Sequence, residues 1–377
     1  MSSAASGDPL ALLLQGTAAL TLPSLVMLAV AALLLWLGIV KRYEPLLLLP
    51  IGAGCLLANL PLSPLVGEHG MLRALYDMGV GNEMFPLLIF IGIGALTDFG
   101  PLLENPRMVL LGAAGQFGIF ATLLLALGLG FSRPEAASIG IIGAIDGPTS
   151  IYVSGILAPH LLAPITVAAY SYMSLVPIIL PPIMKLLTTQ RERRIRMPYS
   201  QRPISRRTRV LFPIVVTLVV GTLVPFATPL IGMLMLGNLM KESGVVERLT
   251  KASSEELANV VTLFLGLAIG STMQGAEFLK PATLAILLLG IGAFVLDAVA
   301  GVLFAKLLNA ASGGRVNPLI GAAGISAFPM AARVVQRVAQ EEDFENFLLM
   351  HAMGANAAGQ VASVVAGGVL LALMGAG

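Results

Sequence analysis

The chain has 377 residues, 57% of them hydrophobic and only 11% charged, with a net charge of +2, against about 25% charged in an average soluble domain. So little polar surface excludes a soluble globular fold, and one cysteine, Cys55, excludes an intrachain disulfide or a multi-thiolate metal site. The 41 glycines suit helices packed closely in lipid, where small residues let backbones approach. The expectation is an all-α polytopic membrane protein.

In chain order, 9–20 is apolar but short, more like an interfacial or re-entrant piece than a span. Residues 21–40 carry no charge and stop at Lys41-Arg42, which marks a transmembrane helix. No basic region opens the chain, so this first span is expected to insert the protein without a cleaved signal. A second apolar run covers 45–66, a polar connector 67–84, and a short apolar run 86–96 ends near Asp98. The 108–132 run is a full span, as is 161–184 with Tyr170, Tyr172 and Pro177; the Asp146 segment lies between them.

Residues 185–209 hold nine of the 22 Lys+Arg against one acid, Glu192. The positive-inside rule makes this connector cytoplasmic, a role that accounts for most of its arginines; an acidic soluble partner would also find a docking surface there. Beyond it, 210–240 fits one span and a shorter piece after Pro225 and Pro229, 257–276 could span, and 281–305 spans with Asp297 inside it. Residues 316–332 are interrupted by Pro318, several glycines and Pro329, and end at Arg333. A polar connector, 340–345, precedes the last run, 346–377. Roughly ten or eleven membrane segments result, some of them broken. The expected divisions are 1–84, 85–184, the basic loop 185–209, 210–256 and 257–377.

Asp146 stands out. Ten uncharged residues precede it, Gly147-Pro148 follow, and thirteen uncharged residues run on to Pro159. A carboxylate there would sit deep in the membrane, beside a helix break that frees backbone carbonyls. Such a residue is costly and marks a functional site by default. Asp98 reads as a helix end, His351 as a satisfied core histidine, and Asp297 is deep and unexplained.

The two halves resemble each other. PLLIFIGIGALTDFGPLLENPRMVLLGAAGQFG (86–118) leads to IGIIGAIDGP, and VTLFLGLAIGSTMQGAEFLKPATLAILLLGIGA (261–293) leads to IGAAGISAFP. Paired interrupted segments in corresponding positions point to a transporter's midplane binding site, and such repeats are commonly inverted. Sodium should prefer hard oxygen donors. Asp146, Thr149 and Ser150 on one break, with Asn317 and Ser326 on the other, would form an oxygen-rich cage. On this physics alone a secondary sodium-coupled transporter or a sodium/proton antiporter fits as well as a pump. A structural anchor for a soluble enzyme fits poorly with an intramembrane acid.

GAIDGPTSIY (143–152), YSYMSLVP (170–177), NPLIGAAGISAFPMAARVVQ (317–336) and MGANAAGQVAS (353–363) resemble the β subunit of the sodium-translocating carboxylic acid decarboxylases. That family acts on oxaloacetate, methylmalonyl-CoA, glutaconyl-CoA or malonate. The resemblance runs from about residue 85 to the C-terminus. It implies that a separate biotin-carrier and carboxyltransferase α subunit brings carboxybiotin to the cytoplasmic face. Decarboxylation there would drive sodium outward and consume a proton. Asp146 would be the principal sodium ligand, with Asn317, Asn356 and Ser363 at further functional positions. Tyr172 and Ser326 would exchange a proton, and Arg333 would suit an anionic carboxylate.

Each of these has a plainer role open to it. Tyr172 could satisfy a neighbouring carbonyl, Ser326 and Ser363 could be small helix-contact residues, Asn317 a turn former, and Arg333 a snorkelling charge. The resemblance also implies a multi-pass protein of the cytoplasmic membrane, a homo-oligomer (a trimer) in lipid, with a small γ subunit and no nucleic acid. No Ala-Met-Lys-Met biotinylation motif is present; Met184-Lys185 and Met240-Lys241 lack its context. No phosphate loop or metal-ligand cluster is visible either.

Overall fold

A computed structural model describes residues 15–42, 44–198 and 204–375, apart from the side chains of 276 and 277. All regular elements among them are helical. The first half supplies α1 (Leu22–Ile39), α2 (Pro45–Asn59), α3 (Met84–Leu96), α4 (Met108–Ala114), α5 (Phe117–Gly128), α6 (Arg133–Gly140), α7 (Gly147–Leu157) and α8 (Leu162–Leu187). The second supplies α9 (Arg206–Leu223), α10 (Thr228–Ser243), α11 (Ala258–Thr272), α12 (Pro281–Ala311), α13 (Met330–Glu342) and α14 (Leu349–Leu373). Local chemistry sets the starts. Thr21 accepts from the Ser24 N–H ahead of α1, and Ser132 and Glu135 form a capping box on α6 with a proline in its first turn.

Six helices among the described residues are long and apolar enough to cross a membrane: Leu22–Ile39, Met108–Gly128, Pro159–Leu187, Glu247–Thr272, Pro281–Ala311 and Leu349–Leu373. A seventh is the pair Pro45–Asn59 and Pro64–Val80 if they count as one span bent by 107°. This is a smaller number than the ten or eleven segments expected. The difference lies in the broken and charged pieces. Helix α3 is 13 residues long, the Asp146 segment is interrupted between α6 and α7, and α9 opens on three arginines. Of the expected interfacial piece at 9–20, residues 9–14 lie outside the described residues.

The elements follow one order twice. Two helices (α1 and α2; α9 and α10) lead to a short helix that widens into a π turn, Met71–Leu75 into Tyr76–Val80 and Glu247–Ala252 into Ser253–Leu257. Then come an apolar helix (α3; α11), a one-turn helix (Gly100–Glu104; Gly275–Phe278) and a long span (α4–α5; α12). A segment with a 3₁₀ turn follows, Ile141–Ala144 between α6 and α7 or Pro318–Gly324 before α13, and a long helix ends each half (α8; α14). The likeness read between 86–118 and 261–293 falls in the middle of this shared order.

The chain forms two compact units. In the first, of residues 1–82 and 262–283, α2 packs on α1 and on α11. A Cβ on Gly270 would overlap the Ile51 carbonyl, and one on Gly54 the Leu267 carbonyl. Asn59 Nδ2 donates to the carbonyls of Cys55 (2.8 Å) and Met273 (2.7 Å), holding the end of α11. The second unit, of residues 83–261 and 284–377, repeats the device. Helices α3 and α10 meet at Gly94 and Gly237, each seated on a carbonyl of the other helix, and Asn238 Nδ2 donates to the Thr97 carbonyl at 3.2 Å. In each unit an apolar helix of one half is held by an asparagine-bearing helix of the other. The buried core of the second unit gathers α4 to α8, α12, α13 and α14.

Candidate functional site

The site is built on the break between α6 and α7. After the Ile141–Ala144 turn, Ile145 takes φ 52°, a left-handed state that a β-branched residue rarely adopts. Such outliers concentrate at functional sites. Asp146 then adopts an extended conformation and caps α7, with Pro148 in the first turn. Gly147 is required here, because a Cβ at that position would overlap the ring of Tyr170.

Asp146 is 4% exposed. Its Oδ2 accepts from Thr149 Oγ1 at 2.7 Å, Gln360 Nε2 at 2.9 Å and Ser363 Oγ at 2.9 Å, and its Oδ1 accepts from the Thr149 N–H at 3.4 Å. Every one of these donors is neutral. The carboxylate is therefore oriented by dipoles and left without a countercharge among the described residues, the arrangement a cation would complete. Asn356 donates through Nδ2 to the Ile325 carbonyl at 2.6 Å, while its Oδ1 is buried and unpartnered. The Thr149 and Ser363 hydroxyls add hard oxygens beside the carboxylate.

The second break meets the first. The Ser326 N–H donates to the Ala144 carbonyl at 3.2 Å, and Ser326 Oγ donates to the Gly359 carbonyl at 2.9 Å, one residue before Gln360. The close approach depends on bare backbone: a Cβ on Gly115 or Gly359 would overlap the Gly324 carbonyl. A cis peptide joins Phe328 and Pro329 just beyond. Helix α14 thus binds the two breaks together through residues 356–363.

Other expected residues lie elsewhere. Ser150 Oγ bonds its own helix, to the Asp146 backbone carbonyl at 2.8 Å, rather than the carboxylate. Tyr172 donates its hydroxyl to the Leu287 carbonyl of α12, the plainer of its two roles. Arg333 is exposed one turn into α13 and makes no ion pair among the described residues. Asn317 is committed at another place: Nδ2 donates to the Arg193 and Ile195 carbonyls, each at 2.9 Å, and Oδ1 accepts from the Leu319 N–H at 3.0 Å. Sequence reasoning missed Gln360, although its spacing from Asn356 and Ser363 places all three on one helical face.

Asn317 and Asn346 pin down part of the basic connector. Asn346 Nδ2 also donates to the Arg193 carbonyl, at 2.9 Å. The strap, residues 189–198, carries charges that pair with the acidic end of α13: Arg193 with Glu342 at 2.6 Å, and Arg196 with Asp343 at 2.7 Å and Glu345 at 2.9 Å. Lys185 pairs with Glu341 at 2.6 Å, and Lys306 with Glu192 at 3.3 Å. The Arg193 hydrogen bond holds Glu342 below the usual carboxylate range, and Arg196 does the same for Asp343. Burial alone would raise Glu192, but bonds from Thr189 and Lys306 outweigh it and bring it below its ordinary value. Part of the positive charge expected to serve a partner is thus neutralised within the chain. Beside the strap, a cavity of about 830 Å³ is lined by residues that include Glu104, Arg107, Met197, Ser312 and His351.

The fold and the site define a multi-pass helical membrane protein with a buried acidic centre at a helix break. A family profile for the beta subunit of Na+-transporting oxaloacetate decarboxylase matches residues 23–374. The chain is 50% identical to oxaloacetate decarboxylase beta chain 2 of Salmonella typhimurium, over 92% of this chain and 94% of that one. It is 53% identical to the methylmalonyl-CoA decarboxylase beta subunit of Veillonella parvula, over 95% of each. It is 51% identical to the glutaconyl-CoA decarboxylase beta subunit of Acidaminococcus fermentans, over 96% of each. The chain belongs to the beta-subunit family of sodium-transporting carboxylic acid decarboxylases.

Proposed function

We propose that this chain is the membrane subunit of a biotin-dependent decarboxylase, coupling decarboxylation of carboxybiotin to outward sodium transport with uptake of a proton. The observation that carries the reading is the uncompensated Asp146 carboxylate, held by neutral donors from α7 and α14. The family does not favour a secondary carrier. Sodium is the cargo, and Asp146 is its principal ligand. On its arrival the Thr149 and Ser363 hydroxyls would turn their lone pairs toward the ion, and the Asn356 carbonyl oxygen would join them. Ser150, Asn317 and the strap support this centre from outside.

Carboxybiotin would be delivered by a biotin-carrier and carboxyltransferase α subunit at the basic face, which we assign to the cytoplasm. Cleavage of its N–CO₂⁻ bond releases carbon dioxide, and the biotin nitrogen takes the proton. Arg333, exposed on α13, suits contact with an anionic carboxylate at that face. Ser326 bonds the Ala144 carbonyl beside Asp146 and the Gly359 carbonyl of α14, contacts that support a role in proton exchange as sodium leaves. Tyr172 would join that exchange only by releasing the Leu287 carbonyl. The twofold element order supports an inverted-repeat architecture in which one half moves against a fixed site. A trimeric assembly in the cytoplasmic membrane with a small γ subunit completes the reading.

The test is Asp146→Asn in the purified complex. We expect normal assembly with loss of sodium-stimulated decarboxylation; unchanged activity and sodium dependence would refute the assignment.

A further inference from the structure

A second acid lies in the membrane away from Asp146. Asp297 sits in the middle of α12 and is fully buried. Its Oδ1 accepts from the Gly118 N–H at the start of α5, and its Oδ2 is buried without a partner. Neither oxygen takes part in an ion pair among the described residues. Two glycines make the space for this carboxyl group. A Cβ on Gly118 would lie 2.8 Å from Oδ1, and a Cβ on Gly143 would lie 2.8 Å from Oδ2. Gly143 belongs to the turn that leads directly into Ile145 and Asp146. Thr122, one turn along α5 from Gly118, has a hydroxyl that is likewise buried and unpartnered.

A bare carboxylate with one unsatisfied oxygen would be very costly in such a place, and a hydrogen-bonded neutral acid far less so. A hard cation is a poor occupant, since such ions collect about six oxygen ligands and one of the two Asp297 oxygens is already taken by the Gly118 N–H. The segments packed against Asp297, α5 and the 141–144 turn, carry no titratable side chain. Asp146 follows that turn by two residues, and Tyr172 reaches α12 at Leu287; no hydrogen bond joins either to Asp297.

We propose that Asp297 is a proton-binding site distinct from the Asp146 centre, carrying its proton on Oδ2 against Gly143. Motion of the Asp146 turn displaces Gly143 and changes the surroundings of that proton, which couples the two sites. This coupling rests on the reading of Asp146 as the sodium ligand; the proton site itself does not.

The test compares wild type, Asp297→Asn and Asp146→Asn by infrared spectroscopy of the full chain, and by proton uptake and sodium-22 binding in the assembled complex. Asparagine mimics the neutral acid in shape and charge, so Asp297→Asn is expected to fold with wild-type thermal stability. It should lose a protonated-carboxyl carbonyl band that wild type and Asp146→Asn both show. It should also retain sodium-22 binding while the rate of decarboxylation, and of the proton uptake that accompanies it, falls at least several-fold. Failure of Asp297→Asn to fold would overturn the proposal, because the neutral mimic should be tolerated. An unchanged spectrum or unchanged proton uptake would overturn it as well. Loss of sodium binding in neither variant would count against the Asp146 reading while leaving the band assignment of Asp297 standing.

Discussion

Ser363 Oγ and Gln360 Nε2 both donate to Asp146 Oδ2 at 2.9 Å from a helix more than 200 residues further along the chain. This relationship ties a break in the first half to the last helix of the second. A charge-assisted hydrogen bond contributes about 1.5–3 kcal/mol. Ser363→Ala removes a donor to the empty site and a ligand to the occupied one. We expect the sodium concentration for half-maximal decarboxylation to rise roughly 10- to 100-fold, with the folded complex retained. A sodium titration of initial rates checks it, and an unshifted midpoint would remove Ser363 from the site.

The Gly147 position gives a steric prediction. Gly147→Ala forces a methyl group into the Tyr170 ring, and overpacking of this kind costs about 1–3 kcal/mol. The substitution should lower sodium-dependent activity by displacing Asp146, and Tyr170→Leu in the same chain should restore part of it. Activity of the single and double variants, measured at equal protein in the membrane, decides the point. A double variant no better than the single would show that the ring is not the obstacle.

Asn317 separates a structural role from a sodium role. Asn317→Ala takes one of two amide donors from the Arg193 and Ile195 carbonyls, which keep Asn346, and leaves the Leu319 N–H without its acceptor, at a cost of about 1–3 kcal/mol. We expect a lower thermal midpoint and faster trypsin cleavage at the strap arginines, with the sodium midpoint unchanged. A shifted sodium midpoint at normal stability would instead return Asn317 to the ion site.

The strap should respond to acid in one direction. Glu342, Asp343 and Glu192 all sit below their ordinary values in the folded chain. Groups depressed by folding contribute stability that is fully present above their unfolded values, near 4, and lost as pH falls through the folded ones. The strap is therefore held at neutral pH and released in acid, below the usual carboxylate range. A spin-label distance between positions 194 and 344 should lengthen there. Glu342→Gln should show a longer distance already at neutral pH.

The Asp146 break was legible because a charge in a long apolar run with Gly-Pro beside it has few other meanings. The twofold element order was legible only in its middle, where glycines and prolines recur. Its outer parts depend on element order and on Asn59 and Asn238, whose roles are set by tertiary contacts. The surroundings of Asn317 were not legible, because an asparagine before a proline at a break looks the same whether it faces an ion or a strap carbonyl. Gln360 escaped notice because an amide donor to a carboxylate has no signature in the sequence beyond its spacing from Asn356 and Ser363. The count of membrane segments exceeded the spans found because apolar runs such as 86–96 form helices shorter than a full span needs.

On the proposed mechanism Asp146 binds the sodium that decarboxylation expels. The most direct test is sodium-22 movement in vesicles holding the purified complex, with the carboxylated substrate added on the side bearing the basic connector. Wild type should accumulate sodium away from that side only when substrate is present, and Asp146→Asn should accumulate none. Equal accumulation in the two, or accumulation without substrate, would contradict that mechanism.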